Sequence, residues 1–331
     1  MTDRNFDPEL AEIVELLPTT IDWGPAESMA EARASMASWG VRPEPRPDVT
    51  REDRMIPGRD GDPDVVVRVY RPVTSPAGPM PALVEIHGGG FIMGDLSMMD
   101  GFCDVVAAEF PAVVVSVNYR LAPEDPYPAG VEDCYAALRW LADNAAELGV
   151  DPARIAVSGQ SAGGGLAAAT ALLARDRGGP DLCFQLLDIP ELDDRLATPS
   201  MQQFTDTPLW NRPNAIRSWS WYLGDDEAPG SDDVSYYAAP ARCENLHGLP
   251  PAFVAVMEFD PLRDEGLVYA MRLLEAGVST EIHAYPGTFH GSALVTTADV
   301  SKRHARDSMG ALRRALVPQT SASASASSDP S

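Results

Sequence analysis

Alternation of short apolar runs with amphipathic stretches is the feature that most restricts the fold of this chain. Six runs are typical of buried strands: Ala82–Ile86, Ala112–Val117, Arg154–Val157, Cys183–Ile189, Ala252–Met257 and Thr280–Tyr285. Helical spacing marks the stretches between most of them: Met99–Glu109, Glu132–Leu148, Ala162–Arg175 and Arg263–Ala276. Strands that alternate with helices form a parallel sheet covered on both faces. The sequence therefore predicts an α/β fold with a mostly parallel central sheet flanked by helices.

Two segments depart from this alternation and predict a helical cap. Apolar residues recur at helical spacing in the first 45 residues, and aromatic residues cluster between 191 and 246, with Trp210, Trp219 and Tyr222 among them. We expect residues 1–45 and 191–246 to cover one edge of a core formed by residues 46–190 and 247–317. An ordinary inserted loop with surface aromatics remains the alternative. Residues 318–331 are rich in Ser and Ala, which predicts a disordered tail.

The charge balance argues against several classes of partner. The chain has 25 basic and 49 acidic residues, a formal net charge of −24. Nucleic-acid binding needs a basic face, and an acidic surface also repels anionic lipid. Lys302 is the only lysine, so Schiff-base chemistry and Ser–Lys catalysis are not expected. We therefore predict that neither nucleic acid nor a membrane is a partner.

Targeting signals and metal-ligand spacing are also missing from the sequence. The N-terminus is polar and acidic, which does not match a secretory signal, and the longest uncharged run, Ile155–Ala174, is interrupted by glycines. The four cysteines include no C-x-x-C pair. We expect a cytoplasmic protein with buried thiols, no metal and no cofactor.

Gly159-Gln160-Ser161-Ala162-Gly163 carries the strongest chemical signal. It follows the predicted strand Arg154–Val157 and precedes an Ala-rich helix. A G-x-S-x-G sequence in a tight strand-to-helix turn is typical of a nucleophile elbow, which raises the serine hydroxyl above the sheet. The sequence thus predicts Ser161 as a nucleophile, with a glycine-rich packing turn as the alternative.

A run of three glycines forms the second signal. His87-Gly88-Gly89-Gly90-Phe91 directly follows the strand Ala82–Ile86, 74 residues before Ser161. Glycines leave backbone N–H groups free to converge on an anion, and such a loop pairs with an elbow in this chain order. We expect the N–H groups of Gly89, Gly90 and Ala162 to form an oxyanion hole. A flexible loop without an anion role is the alternative.

Elimination assigns the general base and its carboxylate partner. His290 follows the strand that ends at Tyr285, and loops after strands carry the chemistry of α/β sheets. The other four histidines lie elsewhere. His87 opens the glycine loop and His247 lies at a turn, whereas His283 lies in a strand and His304 in a charged C-terminal helix. Asp260 lies at the carboxyl end of the strand Ala252–Met257, before a Pro that can open the next helix, whereas Asp264 and Glu265 fall in the first turn of that helix. The sequence therefore predicts a Ser161, Asp260 and His290 triad.

Five motifs together resemble the bacterial hormone-sensitive-lipase-like, or family IV, carboxylesterases of the α/β-hydrolase superfamily. They are H-G-G-G-F, Y-R-L-A-P-E at 119–124, G-Q-S-A-G-G at 159–164, D-P-L-R-D-E-G at 260–266 and F-H-G at 289–291. The resemblance extends from about residue 45 to residue 316. Most of that family carries Asp or Glu at the position of Gln160. The resemblance implies an α/β-hydrolase fold with a helical cap.

The expected function is that of a serine carboxylesterase acting on a small-molecule ester. The resemblance implies hydrolysis of short-chain, acetyl-type esters, and an acyl-enzyme intermediate follows from the predicted triad. Bulky residues near the motifs favour a small acyl group: Phe91, Trp210, Trp221 and Phe289. An amidase or peptidase-type acyl hydrolase and a non-catalytic ligand receptor on the same fold remain alternatives. A homodimer is left open.

Overall fold

A computed structural model gives the fold of the chain and describes residues 4–19, 24, 29, 31, 33, 44–225 and 228–317. The N-terminal segment 1–45 is thus covered in part, and Met29, Glu31 and Arg33 are helical. The predicted tail, residues 318–331, lies outside the described residues.

An eight-stranded sheet forms the centre of the molecule. Its strands are β1 (Val49–Ile56), β2 (Val65–Pro72), β3 (Met80–Ile86), β4 (Val113–Asn118), β5 (Val150–Gln160), β6 (Phe184–Asp188), β7 (Ala252–Phe259) and β8 (Thr280–Phe289). Their spatial order is β1-β2-β4-β3-β5-β6-β7-β8. The pairs β1–β2 and β2–β4 are antiparallel and all other neighbours are parallel. The predicted mostly parallel sheet is confirmed.

Helices cover both faces of this sheet. They are α1 (Pro8–Val14), α2 (Asp100–Glu109), α3 (Ala129–Asp143), α4 (Ala145–Leu148), α5 (Ala162–Asp176), α6 (Pro199–Gln203), α7 (Arg212–Leu223), α8 (Arg263–Glu275) and α9 (Asp299–Leu316). Short 3₁₀ turns occupy Leu96–Met99, Pro240–Arg242 and Ser292–Leu294. The predicted helical stretch Glu132–Leu148 forms two helices, α3 and α4, with Asn144 between them. The amide of Asn144 donates to the carbonyl of Trp140 at 2.8 Å and interrupts the helix, as short polar side chains do.

Side chains from alternate strand positions enter two separate cores. In β5, Ile155 and Val157 pack with α3, α5 and α8, whereas Ala156 packs on the opposite face with α1, α2 and α9. Successive strand residues point to opposite faces, so a strand buried on both sides reads as a continuous apolar run. This explains why the six apolar runs could be recognised from the sequence.

Several aromatic residues of the segment between β6 and β7 are buried. Trp210, Trp219 and Tyr222 are all at least nine-tenths buried, so they are not surface aromatics on a loop. The ring of Phe91 stacks on Tyr222 with 4.0 Å between centroids. This contact joins α7 to the glycine loop that follows β3.

In the described part of the chain, no helix combines the length and apolarity that a bilayer-spanning helix needs.

Helix α5 approaches β3 unusually closely because it begins with glycines. A Cβ at Gly163 would overlap the carbonyl oxygens of Ile86 and His87, which belong to the backbone and cannot move aside cheaply. The first turn of α5 therefore rests directly on the end of β3.

We predict that Gly163→Ala destabilises the fold by about 1–3 kcal/mol, because the added methyl group meets backbone atoms. Gly310→Ala is the matched control: it lies inside α9, and its nearest contact would be the Arg314 side chain at 3.5 Å. There the substitution is expected to be neutral or stabilising by up to about 1 kcal/mol. Urea unfolding of both variants measures the difference, and equal stabilities would contradict the close approach.

Candidate active site

Ser161 occupies a strained turn between β5 and α5. Its backbone has φ 57° and ψ −122°, a conformation that costs a non-glycine residue about 1–3 kcal/mol. Three backbone hydrogen bonds hold it: the Ser161 N–H donates to the Asp188 carbonyl at 2.8 Å, and its carbonyl accepts from Gly165 and Glu191 at 3.1 and 3.0 Å. Strain that persists at one serine under such restraint is typical of a functional position.

Ser161, His290 and Asp260 form a continuous hydrogen-bonded chain. The Ser161 Oγ lies 2.9 Å from His290 Nε2, and His290 Nδ1 lies 2.7 Å from Asp260 Oδ2. His290 directly follows β8 and Asp260 directly follows β7. Their exposed fractions are 6% for Ser161, 8% for His290 and 1% for Asp260. The structure thus brings together the three residues that the sequence singled out.

The Asp260 carboxylate fixes the tautomer of the histidine. An ionised carboxylate only accepts hydrogen bonds, so His290 Nδ1 must carry the proton and Nε2 is left as the acceptor for the serine hydroxyl. Asp260 is itself oriented, because its Oδ1 accepts the N–H of Leu262 at 2.9 Å. The imidazole is therefore placed to remove the Ser161 proton.

The glycine loop lies against the elbow in a conformation that suits glycine. Gly89 and Gly90 have φ of 121° and 58°. A Cβ at Gly88 would stand 3.4 Å from the Ser161 Cβ, so the loop and the elbow are in contact. Ala162 opens α5, and first-turn N–H groups have no acceptor within their own helix. The N–H groups of Gly89, Gly90 and Ala162 thus come from two touching segments.

Two side chains, those of His87 and Ser218, hold the glycine loop in place. His87 is fully buried, its ring stacks on Tyr119, and its Nδ1 lies 2.7 Å from the Gly88 carbonyl oxygen. Burial lowers the pKa of His87 to about 4, so the ring is neutral at pH 7. Ser218 in α7 donates to the Gly90 carbonyl at 2.7 Å. Sequence reasoning missed Ser218, because nothing distinguishes this serine from others along a helix.

The sequence predicts four aromatic residues near the pocket. Of these four, Trp210 contacts the triad. Its ring centroid lies 5.9 Å from that of His290, and its ring edge stands 2.5 Å from the position that a Gly90 Cβ would take. Phe91 stacks on Tyr222, and Phe289 packs against Phe6. Trp221 lies under the guanidinium of Arg217. Trp210 thus contributes an apolar wall between the triad and the glycine loop.

Comparisons with known proteins identify relatives of this chain. A family model described as the alpha/beta hydrolase fold matches residues 83–294, a range that includes Ser161, Asp260 and His290. Carboxylesterase NlhH of Mycobacterium tuberculosis is 42% identical over 319 residues, which cover 94% of this chain and 97% of the relative. Ethyl acetate hydrolase of Pseudomonas putida is 30% identical, over 86% of this chain and 91% of the relative.

A solved structure shows the same likeness in three dimensions. The structure of bacterial heroin esterase is similar to this chain with a TM-score of 0.90 and 52% sequence identity. The match covers 95% of this chain and 99% of that structure.

A buried carboxyl group near the elbow makes the stability of the fold depend on pH. Glu85 in β3 is fully buried beside the hydroxyl of Ser158, and burial raises the pKa of Glu85 to about 8. Because this folded-state pKa lies above the unfolded value, the folded protein binds more protons between pH 4.5 and about 8. This contribution to stability is therefore lost as the pH rises through that window.

We predict that Glu85→Gln removes this decline, because the amide keeps the shape without a titrating proton. Between pH 5 and 8, the wild-type free energy of unfolding should fall by up to about 4 kcal/mol more than that of the variant. The exposed Glu275 provides the control, and Glu275→Gln should retain the wild-type slope. Urea titrations at several pH values measure the slopes, and parallel curves for wild type and Glu85→Gln would refute the assignment.

Proposed function

The chain belongs to the alpha/beta hydrolase family, in its hormone-sensitive-lipase-like branch, and is a carboxylic ester hydrolase; from this premise we propose that it cleaves short-chain, acetyl-type esters through an acyl-enzyme intermediate. The observation that carries the mechanism is the hydrogen-bonded chain from the Ser161 hydroxyl through His290 to Asp260. A serine activated by a histidine and an oriented carboxylate forms a covalent acyl intermediate.

Acylation begins when Ser161 Oγ attacks the ester carbonyl carbon. His290 Nε2 takes the hydroxyl proton, and Asp260 stabilises the imidazolium through the Nδ1 hydrogen bond. The carbonyl oxygen becomes an oxyanion, which the N–H groups of Gly89, Gly90 and Ala162 are placed to stabilise. Each such donor contributes on the order of 10²–10³ in rate. The imidazolium then protonates the alcohol oxygen as the C–O bond breaks.

Deacylation repeats the sequence with water as the nucleophile. His290 takes a proton from the water that attacks the acyl carbon, and returns it to Ser161 Oγ as the acid leaves. No cofactor takes part in either half of the cycle. The peptide plane that carries the Gly90 N–H is held by the bond from Met93 N–H to the Gly89 carbonyl at 2.9 Å. The plane that carries the Gly89 N–H includes the Gly88 carbonyl, which lies 2.7 Å from His87 Nδ1.

Two observations support a small acyl group. Trp210 contacts His290 and closely approaches Gly90, so a bulky ring borders the space between the triad and the glycine loop. The name of one relative, ethyl acetate hydrolase, states that it acts on an acetyl ester. We further propose that residues 191–246, with α7 packed on the glycine loop, act together with the N-terminal segment as the cap that bounds this pocket.

We predict that Ser161→Ala lowers kcat for a nitrophenyl acetate by at least about 10⁴-fold, because no nucleophile remains. A fluorophosphonate should label the wild-type protein and leave the variant unlabelled. Ser231→Ala, which changes a serine outside the hydrogen-bonded chain, is the control and should keep full activity. Turnover that survives in a correctly folded Ser161→Ala protein would remove the proposed mechanism.

We also predict that kcat/KM declines from acetyl through butyryl to octanoyl nitrophenyl esters, by about tenfold or more over the series. Trp210→Ala should flatten the decline, since the ring that limits chain length is gone. The fluorophosphonate labelling rate reports whether the triad of this variant is intact. A wild-type rate that climbs through the octanoyl ester would reject the small-pocket proposal.

A further inference from the structure

A second histidine–carboxylate pair lies next to the nucleophile and takes no part in the proposed cycle. His304 Nε2 in α9 lies 2.8 Å from Asp188 Oδ1 at the end of β6. The histidine is 5% exposed, although its helix is highly charged. The remaining oxygen of that carboxylate, Asp188 Oδ2, accepts the side-chain amide of Gln160 at 3.2 Å.

Asp188 is bonded directly to the strained turn. Its main-chain carbonyl accepts the N–H of Ser161 at 2.8 Å, and Gln160 pairs with it in the register of β5 and β6. The charged carboxylate of Asp188 contacts the side chain of Gln160, the residue before the nucleophile, in an interior where charges interact more strongly than in water. Left uncompensated, this charge would oppose the oxyanion and favour the protonated form of His290, which cannot act as a base.

We propose that His304 is a positioning residue for the esterase reaction, whose imidazolium neutralises Asp188 and holds it against the nucleophile turn. This inference rests on the proposed role of His290 as the base. It also gives Gln160 a role. A carboxylate at position 160 would be repelled by the Asp188 carboxylate, whereas the Gln160 amide donates a hydrogen bond to it.

The surroundings of His304 favour its charged form. Asp188 and Asp307 raise the pKa of His304, and their combined effect exceeds the opposing effect of burial. From β8, the ring of Tyr285 contacts His304 edge-on at 4.9 Å, with the Arg303 guanidinium beside it. Glu85 in β3 also interacts with Asp188, and its raised pKa keeps it largely neutral below about pH 8. The imidazolium is thus the charge that balances Asp188.

The test is the pH profile of kcat/KM for a nitrophenyl acetate. The His304→Gln variant keeps a hydrogen-bond donor but removes the positive charge. The acid limb of the profile should therefore shift to higher pH, by on the order of 0.5 pH unit. The double variant Asp188→Asn/His304→Gln removes both charges and should return the limb to its wild-type position. His247→Gln changes an exposed histidine before β7, at the strand end opposite Asp260, and should move nothing.

A purely structural histidine would lower the unfolding temperature of His304→Gln without moving the limb, and that result would overturn the proposal. So would a double variant that keeps the shifted limb. If His304→Gln does not fold, histidine NMR of the wild-type protein decides. The His304 ring must stay protonated through the pH range of the acid limb, and a neutral ring there refutes the proposal. A wild-type profile without any acid limb would instead count against His290 as the base.

Discussion

The strained turn at Ser161 is the constraint on which the rest of the active site depends. A positive φ at a serine is unfavourable, and it persists because β5, β6 and α5 restrain the turn through the Asp188 carbonyl, the Gly165 and Glu191 N–H groups, and a helix start that only glycine permits. The same turn places the hydroxyl above the sheet and the Ala162 N–H beside it. Relaxation of this turn would displace both the nucleophile and one donor of the proposed oxyanion hole.

The parallel sheet explains how residues so distant in sequence meet. Ser161, Asp260 and His290 follow β5, β7 and β8, and parallel strands end at a common edge. The strands β6 and β7 lie between the strands that precede Ser161 and His290. Because neighbouring strands are about 4.8 Å apart, side chains that leave this edge can reach each other across that span. The loops carry the reacting groups, while the sheet fixes their relative positions.

Buried ionisable groups around the elbow follow a consistent electrostatic pattern. Among the described residues neither Glu85 nor His87 forms a salt bridge, and burial shifts the pKa of each toward its neutral form. Asp188 and Asp260 each have a histidine at 2.7–2.8 Å. In a protein with a net charge of −24, such local compensation limits the negative potential at a site where negative charge must develop.

The primary structure alone indicates the strand and helix pattern, the mostly parallel sheet and the three residues that form the hydrogen-bonded chain. These could be predicted because periodicity, the G-x-S-x-G turn and a choice among five histidines are local signals. Only the tertiary structure revealed Ser218 bonded to Gly90, and His304 paired with Asp188 instead of lying on a charged surface. Each of these two pairs joins residues more than 100 positions apart, and neither Ser218 nor His304 stands out within its helical sequence. Their roles arise because α7 and α9 pack against the sheet edge.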